Sequence, residues 1–131
     1  MASPRARAGL RCPSRLGREA EDAVAAWLEQ RGWHILARNL RVGRLEIDLL
    51  ARCGDLAAVI EVRRRGAGSW QGPFESVDAR KRTRLREAAR RIWVQRFEND
   101  PTISHLRIDV AAVQFLDDGG PVIQYAAGQW W

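Results

Sequence analysis

The acidic residues Asp48 and Glu61 lie inside two apolar, strand-like runs of the sequence, and they limit what the chain can fold into. Asp48 lies in the apolar run 45–50, and Glu61 lies in the apolar run 59–63. A carboxylate on a half-buried strand must be paired with a cation or must bind a metal ion, because burying an unpaired charge is costly. Since only the short turn 52–55 separates the runs, they predict neighbouring strands whose acids can reach the same place.

The alternation of side chains along a strand predicts which residues share a face. On the first strand it places Leu45, Ile47 and Leu49 on one face and Glu46, Asp48 and Leu50 on the other. On the second strand it places Ala58, Ile60 and Val62 on one face and Val59, Glu61 and Arg63 on the other. In an antiparallel hairpin with an even loop, Asp48 and Glu61 share a face, and they are direct neighbours if the loop is 53–56. Because like charges in this position repel each other, we expect either a divalent cation between them or an arginine, Arg63 or Arg65, beside them.

The charge balance of the chain favours a polyanionic partner. The 131 residues fit a single domain. The 22 Lys and Arg residues outnumber the 16 Asp and Glu residues, which gives a formal net charge of +6. Lys81 is the only lysine, and arginine suits bidentate contacts to phosphate and stacking on bases. A general compositional bias toward arginine is the alternative explanation, so charge by itself favours nucleic acid only weakly.

Several classes of protein are excluded by the remaining composition. Neither Cys12 nor Cys53 has a second cysteine at ligand spacing, so we expect no disulfide framework and no cysteine metal cluster. No apolar run is long enough to span a membrane, and the basic N-terminal residues lack the apolar segment of a secretory signal. We therefore expect a cytoplasmic protein without a membrane partner, with a flexible basic arm at residues 1–16 and a single folded domain at 17–131.

The periodicity of apolar residues predicts seven elements in the order α-β-β-β-α-β-β. The predicted helices cover residues 18–31 and 77–97, and the predicted strands cover 33–40, 45–50, 59–63, 103–115 and 122–125. Mixed order of this kind is typical of one central sheet with helices packed on it. The sequence therefore predicts an α/β fold with a mixed sheet of about five strands.

Both predicted helices carry charged residues that can contribute to a site on the sheet. Glu21 borders the apolar stripe of the first helix, so its carboxylate can lean toward the strands, although the helix dipole also favours acids near a helix N-terminus. The second helix carries a dense series of cations, among them Arg80, Lys81 and Arg84. Such a surface would bind phosphates with salt-dependent affinity. We expect Asp109 to have a structural role, paired with an arginine of this helix.

Six segments match a known family in the same order along the chain, from residue 17 to residue 127. They are 17–21, 32–39, 46–51, 61–65, Lys81 with Leu85, and 107–110. In these segments the chain resembles the YraN-type family of uncharacterised bacterial proteins, which is similar to Holliday-junction resolvases and other nucleases of the restriction-endonuclease-like fold. The resemblance implies that fold, with DNA, including branched DNA, as the expected partner and phosphodiester hydrolysis as the expected reaction.

The resemblance also implies the residues of a metal site. Nucleases of this fold carry a Glu on the first helix, an Asp on one strand and Glu-x-Lys on the next, and the matching acids here are Glu21, Asp48 and Glu61. These acids and the backbone carbonyl of Val62 are the implied ligands of Mg²⁺ or Mn²⁺, which prefer oxygen donors. The implied catalytic residues are the three acids and Arg63.

One position departs from the pattern of the family and leaves alternatives open. Arg63 stands where the lysine would follow, and arginine is a poor proton acceptor because its pKa stays above about 12. Leu45 also stands where the family usually has glycine. The alternatives are an active nuclease, a nucleic-acid-binding module with weak or no catalysis, and a structural adaptor whose acids are salt-bridged. Lys81 could restore catalysis if it reaches the acids from the second helix, and otherwise we expect it to contact phosphate.

The expected contacts to nucleic acid come from basic residues near these acids. They are Arg63, Arg65, Arg80, Lys81 and Arg84. The sequence leaves the oligomeric state open, with a homodimer as one option.

Overall fold

Seven main elements make up the described part of the chain. A computed structural model describes residues 15–66, 73 and 77–128. The helices are α1 (Arg15–Gln30) and α2 (Ala79–Ile92), and α2 continues into a π-helical turn at Trp93–Phe97. The strands are β1 (His34–Val42), β2 (Leu45–Cys53), β3 (Leu56–Arg64), β4 (His105–Phe115) and β5 (Pro121–Ala126). The predicted order α-β-β-β-α-β-β is confirmed. Residues 1–14 of the predicted arm lie outside the described residues, and α1 begins at Arg15.

The five strands form one mixed sheet in the order β1-β2-β3-β4-β5. Neighbouring strands are antiparallel except for β3 and β4, which are parallel. A parallel pair needs a long crossover connection, and α2 lies in that connection. This arrangement confirms the predicted α/β architecture, a central mixed sheet of five strands flanked by helices.

The two helices pack against the sheet through two separate apolar clusters. The cluster under α1 includes Ala20, Val24, Leu28, Leu49, Ala51, Ala58 and Ile60. The cluster under α2 includes Leu85, Ala88, Ile92, Ile47, Leu50, Val59 and Ile108. The central strands β2, β3 and β4 are therefore covered on both faces along their buried stretches, which agrees with their apolar runs. Within the described part of the chain, neither helix has the length and apolar character that a membrane span requires.

β2 and β3 pair along only part of their length. Their antiparallel ladder ends where Leu49 faces Ile60. Beyond that point β3 continues beside β4 as far as Arg64. The hairpin register, continued by one step, places Asp48 opposite Glu61, as the sequence predicts. The two acids therefore lie where the sheet opens between β2 and β3.

The predicted alternation of β2 is wrong at Leu49 and at Leu50, since Leu50 was predicted on the face opposite Ile47 but both lie in the cluster under α2. Leu45, Ile47 and Leu49 were expected to share a face, but Ile47 lies in the cluster under α2 and Leu49 lies in the cluster under α1. The reason lies on the neighbouring strand, where the register places Asn39 opposite Asp48. Asn39 has a φ of 51°, a left-handed conformation that interrupts the regular pleat of a strand.

Candidate active site

Asp48 lies at the opening between β2 and β3, one residue beyond the last backbone pair of the hairpin. There its side chain, rather than its backbone, accepts a hydrogen bond from β3. Its Oδ2 accepts a hydrogen bond of 2.8 Å from the backbone N–H of Val62. Burial and the negative charge of Glu61 raise the pKa of Asp48 from 3.8 to about 7, although the Val62 N–H and Lys81 act in the opposite direction. A half-buried carboxylate, Asp48, and a buried one, Glu61, are thus held close together, and this arrangement favours a cation between them.

Glu61 lies beside α2 and is in contact with two cations of the protein. Its side chain is 5% exposed, and its Oε2 lies 3.6 Å from Nζ of Lys81 and 3.5 Å from Nη1 of Arg63. Asp78 caps α2 by accepting the backbone N–H of Lys81 at 2.8 Å, which fixes the start of the helix from which the lysine extends. Lys81 therefore reaches Glu61 from the second helix.

Glu21 approaches the same opening from α1. It is 8% exposed, and its Oε1 accepts a hydrogen bond of 3.3 Å from Nδ2 of Asn39. Burial and the negative charge of Asp48 raise the pKa of Glu21 from 4.5 to about 7, although the Asn39 hydrogen bond and Arg38 lower it. The structure therefore brings the predicted helix acid close enough to Asp48 for the two charges to interact.

The three acids form a series from Glu21 on α1, through Asp48, to Glu61 beside α2; we refer to them as the acid series. As placed, no three His, Cys, Asp or Glu side chains among the described residues form a group that could hold a metal ion. Each acid is instead held by the protein donors named above. The series supplies carboxylate oxygens of the kind that a metal site needs. In this structure those oxygens accept hydrogen bonds or form ion pairs with the protein groups named above.

Asn39 is a residue of the site that the sequence analysis missed. It lies opposite Asp48, donates to Glu21, and adopts a left-handed backbone inside a strand. Asparagine tolerates this conformation better than other residues with a Cβ atom. The signal in the sequence was an asparagine inside a strand-like run, where this residue type is uncommon.

The other predicted site residues divide into exposed and buried positions. Arg80 and Arg84 are exposed on α2, and the Arg63 side chain is 40% exposed beside Glu61. Arg65 is 8% exposed at the end of β3, so most of its surface lies inside the protein. The backbone N–H of Val62 donates to Asp48, and the carbonyl of Val62 is the atom that the family resemblance implies as a ligand.

Asp109 is fully buried and belongs to a different network. It accepts hydrogen bonds from Nε and Nη2 of Arg107, at 2.8 and 3.0 Å, from the Tyr125 hydroxyl at 2.6 Å and from the Gly128 N–H at 2.9 Å. The expected pairing with an arginine of the second helix is therefore wrong, because an arginine two residues away on the same strand supplies the charge. The structural role expected for Asp109 agrees with this network.

A groove lies between the start of β2 and α2 and meets the acid series at Lys81. Its volume is about 500 Å³. It is lined by Arg44, Leu45, Glu46, Ile47, Lys81, Arg84, Leu85 and Ala88. The groove therefore combines an apolar surface with three cations at the side of the acids.

A comparison with solved structures finds a similar chain in SfsA of Pyrococcus furiosus, solved in complex with Ca²⁺. The TM-score is 0.45 and the sequence identity is 17%. The match covers 87% of this chain and 64% of that chain.

Comparisons of the amino-acid sequence identify a family and relatives of higher sequence identity. The model of the uncharacterised protein family UPF0102 matches residues 20–113. A UPF0102 protein of Sorangium cellulosum is 50% identical over 109 residues, which cover 83% of this chain and 76% of the relative. A UPF0102 protein of Anaeromyxobacter dehalogenans is 40% identical over 116 residues, which cover 84% of this chain and 79% of the relative. The chain therefore belongs to the UPF0102 family, and the YraN-type resemblance seen in its sequence is confirmed.

Proposed function

We propose that this protein binds DNA and hydrolyses phosphodiester bonds at a divalent-metal site formed by the acid series. The observation that supports this most strongly is the convergence of Asp48 and Glu61 at the opening of the sheet, with Nζ of Lys81 3.6 Å from Glu61. Acids that are distant in the sequence but interact in the fold, beside a basic helix, fit chemistry on a polyanion.

The residues present fit a divalent cation in their chemistry. Asp48 and Glu61 supply carboxylate oxygens, which Mg²⁺ and Mn²⁺ prefer. Burial and the negative charge of Glu61 raise the pKa of Asp48, and positive charge at this point would offset both effects. Glu21 and the carbonyl of Val62 would complete the ligand set. A metal ion held there supplies a Lewis acid that polarises a phosphoryl oxygen.

Lys81 and Arg63 have distinct roles in this proposal. Both contact the same Glu61 oxygen, so both lie where a phosphodiester would approach the acids. Arg63 supplies a guanidinium that binds phosphate oxygens. Lys81 extends from a capped helix and orients the attacking water, the role that the lysine after the strand acid has in the similar nucleases. The sole lysine of the chain thus supplies the amine that Arg63 does not.

A cleavage assay tests this function directly. The full chain is incubated with single-stranded, duplex and branched DNA in Mg²⁺, Mn²⁺ or EDTA. We expect metal-dependent cleavage by wild type and by Arg86→Ala, which removes a cation from another face of α2. We expect a loss of about 100-fold or more for Asp48→Ala and for Lys81→Ala. Full activity of Asp48→Ala would reject the metal site, and full activity of Lys81→Ala would reject the role of the lysine.

The second candidate function is a nucleic-acid-binding module that has little or no catalysis. The observation that favours it is Arg63 at the position of the usual lysine, together with the contact of Glu61 with two cations of the protein. This alternative predicts salt-sensitive DNA binding that does not need metal and no cleavage under any of the conditions above.

A further inference from the structure

The groove between β2 and α2 has a chemistry that the acid series does not use. Its volume of about 500 Å³ lies within the range of small-molecule sites. Its apolar lining comes from both elements: Leu45 on β2 is partly exposed, and Ile47 on β2 and Leu85 and Ala88 on α2 are buried. A flat, weakly polar group gains more from such a lining than a bare ion does, because apolar contact excludes water from its faces.

The rim of the groove has an excess of positive charge. Arg44 and Arg84 are exposed, and neither has an ion-pair partner among the described residues. Lys81 lines the groove and also contacts Glu61. Glu46 is the single acid of the lining, and its carboxylate can accept hydrogen bonds from the amino group of a base. Three cations against one acid favour an anionic ligand, and arginine matches phosphate geometry.

The groove and the acid series are continuous along β2. Glu46 and Ile47 line the groove, and Asp48 follows them directly. The ladder with β3 ends at Leu49, so this stretch of β2 lies beyond the paired part of the hairpin. A ligand with several phosphates could therefore extend from the groove to the acids past Lys81.

We propose that the groove binds one unpaired nucleotide of a DNA substrate, with its base against the apolar lining and its phosphate between Arg44 and Arg84. This inference rests on the proposed function, because the next phosphate of the same strand then lies toward the acid series. A base that is paired and stacked in a duplex does not reach the lining. The preferred substrate class is therefore DNA that contains an unpaired nucleotide.

Fluorescence anisotropy tests this inference through binding alone. The full chain is titrated in EDTA, at fixed salt, into a labelled perfect duplex and into the same duplex with a single bulged nucleotide. We expect wild type to bind the bulged duplex about tenfold more tightly, because no base has to be unstacked. We expect Arg84→Glu to bring the ratio of the two affinities close to one.

A matched variant separates the groove from general charge. Arg86→Glu makes the same charge change on the same helix, at an exposed position outside the groove lining. We expect it to weaken binding to both duplexes equally and to keep their ratio. Equal affinity of wild type for the two duplexes, or an unchanged ratio in Arg84→Glu, overturns the inference.

Cleavage of the same two duplexes with Mg²⁺, measured in parallel, distinguishes failure of the groove from failure of the proposed function. A preference for the bulge without cleavage supports the groove and rejects the hydrolysis. Cleavage without such a preference supports the hydrolysis and rejects the groove.

Discussion

Asn39 connects the backbone of β1 to the chemistry of the acid series. Its φ of 51° is unusual for a residue inside a strand, and its amide donates to Glu21 across 3.3 Å. A non-glycine residue in this region stores strain of about 1–3 kcal/mol and persists only where the surroundings hold it. Asn39 lies opposite Asp48 and combines a strained backbone with a hydrogen bond to Glu21. We therefore infer that Asn39 holds these two acids in position, in addition to its place in β1.

The strain and the hydrogen bond of Asn39 can be separated by substitution. Asn39→Gly removes the amide but accepts the left-handed backbone, so we expect folding stability close to that of wild type with weaker metal binding. Asn39→Ala loses the amide and also keeps the strain, so we expect it to be less stable than Asn39→Gly by about 1 kcal/mol. Urea denaturation and Mn²⁺ titration measure the two effects. Equal stability of both variants would contradict the strain.

The raised pKa values of Asp48 and Glu21, both about 7, predict how stability depends on pH. The folded protein holds these protons more tightly than the unfolded chain does. The resulting stability is complete below the unfolded pKa values of 3.8 and 4.5, and it is lost as pH rises through about 7. We expect the unfolding free energy of metal-free protein to fall by a few kcal/mol between about pH 5 and about pH 8.

The control for this pH dependence is Asp48→Asn. Burial and the charge of Asp48 both raise the pKa of Glu21, so this variant removes one group of raised pKa and the second of these two causes for the other. The fall in unfolding free energy should therefore shrink markedly. Chemical denaturation at several pH values compares the two proteins. An equal fall in wild type and in Asp48→Asn would show that these acids are not the cause.

At the scale of elements, β5 is fixed to β4 by the buried Asp109 network. The Tyr125 hydroxyl donates to Asp109 at 2.6 Å, and burial raises the pKa of Tyr125, so the hydroxyl stays a donor. We expect Tyr125→Phe to lower the unfolding free energy by about 1–3 kcal/mol, because it removes one donor from a buried carboxylate. Denaturant unfolding measures the change. In an Asp109→Asn background, Tyr125→Phe should lower the unfolding free energy by a smaller amount. An equal loss in both backgrounds would show that the Tyr125–Asp109 hydrogen bond does not contribute to stability.

The sequence predicts the elements that depend on local pattern. The hairpin of β2 and β3 follows from the turn 52–55 and the apolar runs on either side, so the meeting of Asp48 with Glu61 was predictable. The face of Leu49 was not, because it depends on the backbone of Asn39 on another strand. The apolar stripe of the second helix predicts which face of α2 packs on the sheet. It therefore predicts that the cations lie off that face, but it does not predict which of them reach the acids.

The partner of Asp109 shows a different limit of the sequence. A buried acid must be paired, and the sequence offers arginines both on the second helix and on the same strand. Only the packing of β5 decides which arginine pairs with Asp109. Tyr125 and Gly128 donate hydrogen bonds to the Asp109 carboxylate, and Arg107 donates to the same carboxylate. Long-range packing of this kind leaves no periodic signal in the sequence.

At the scale of the whole molecule, the net charge of +6 predicts the salt dependence of DNA binding. Contacts from about four cations near the groove would give a slope of about −3 to −4 in a plot of log affinity against log salt. Arg84→Ala should reduce the steepness by about one, because one phosphate contact is lost. Anisotropy titrations over a range of salt concentrations measure the slope. A salt-independent affinity would contradict DNA binding by this surface.

The proposed function requires acids from α1, β2 and β3 to bind one cation together, and calorimetric titration with Mn²⁺ measures this binding. Wild-type protein, Asp48→Ala and the surface variant Glu98→Ala are titrated at about pH 8, above the pKa of about 7 of Asp48 and Glu21. We expect one Mn²⁺ per chain for wild type and Glu98→Ala, and no measurable binding for Asp48→Ala. Equal Mn²⁺ binding by Asp48→Ala and wild type would show that the acid series does not form the metal site.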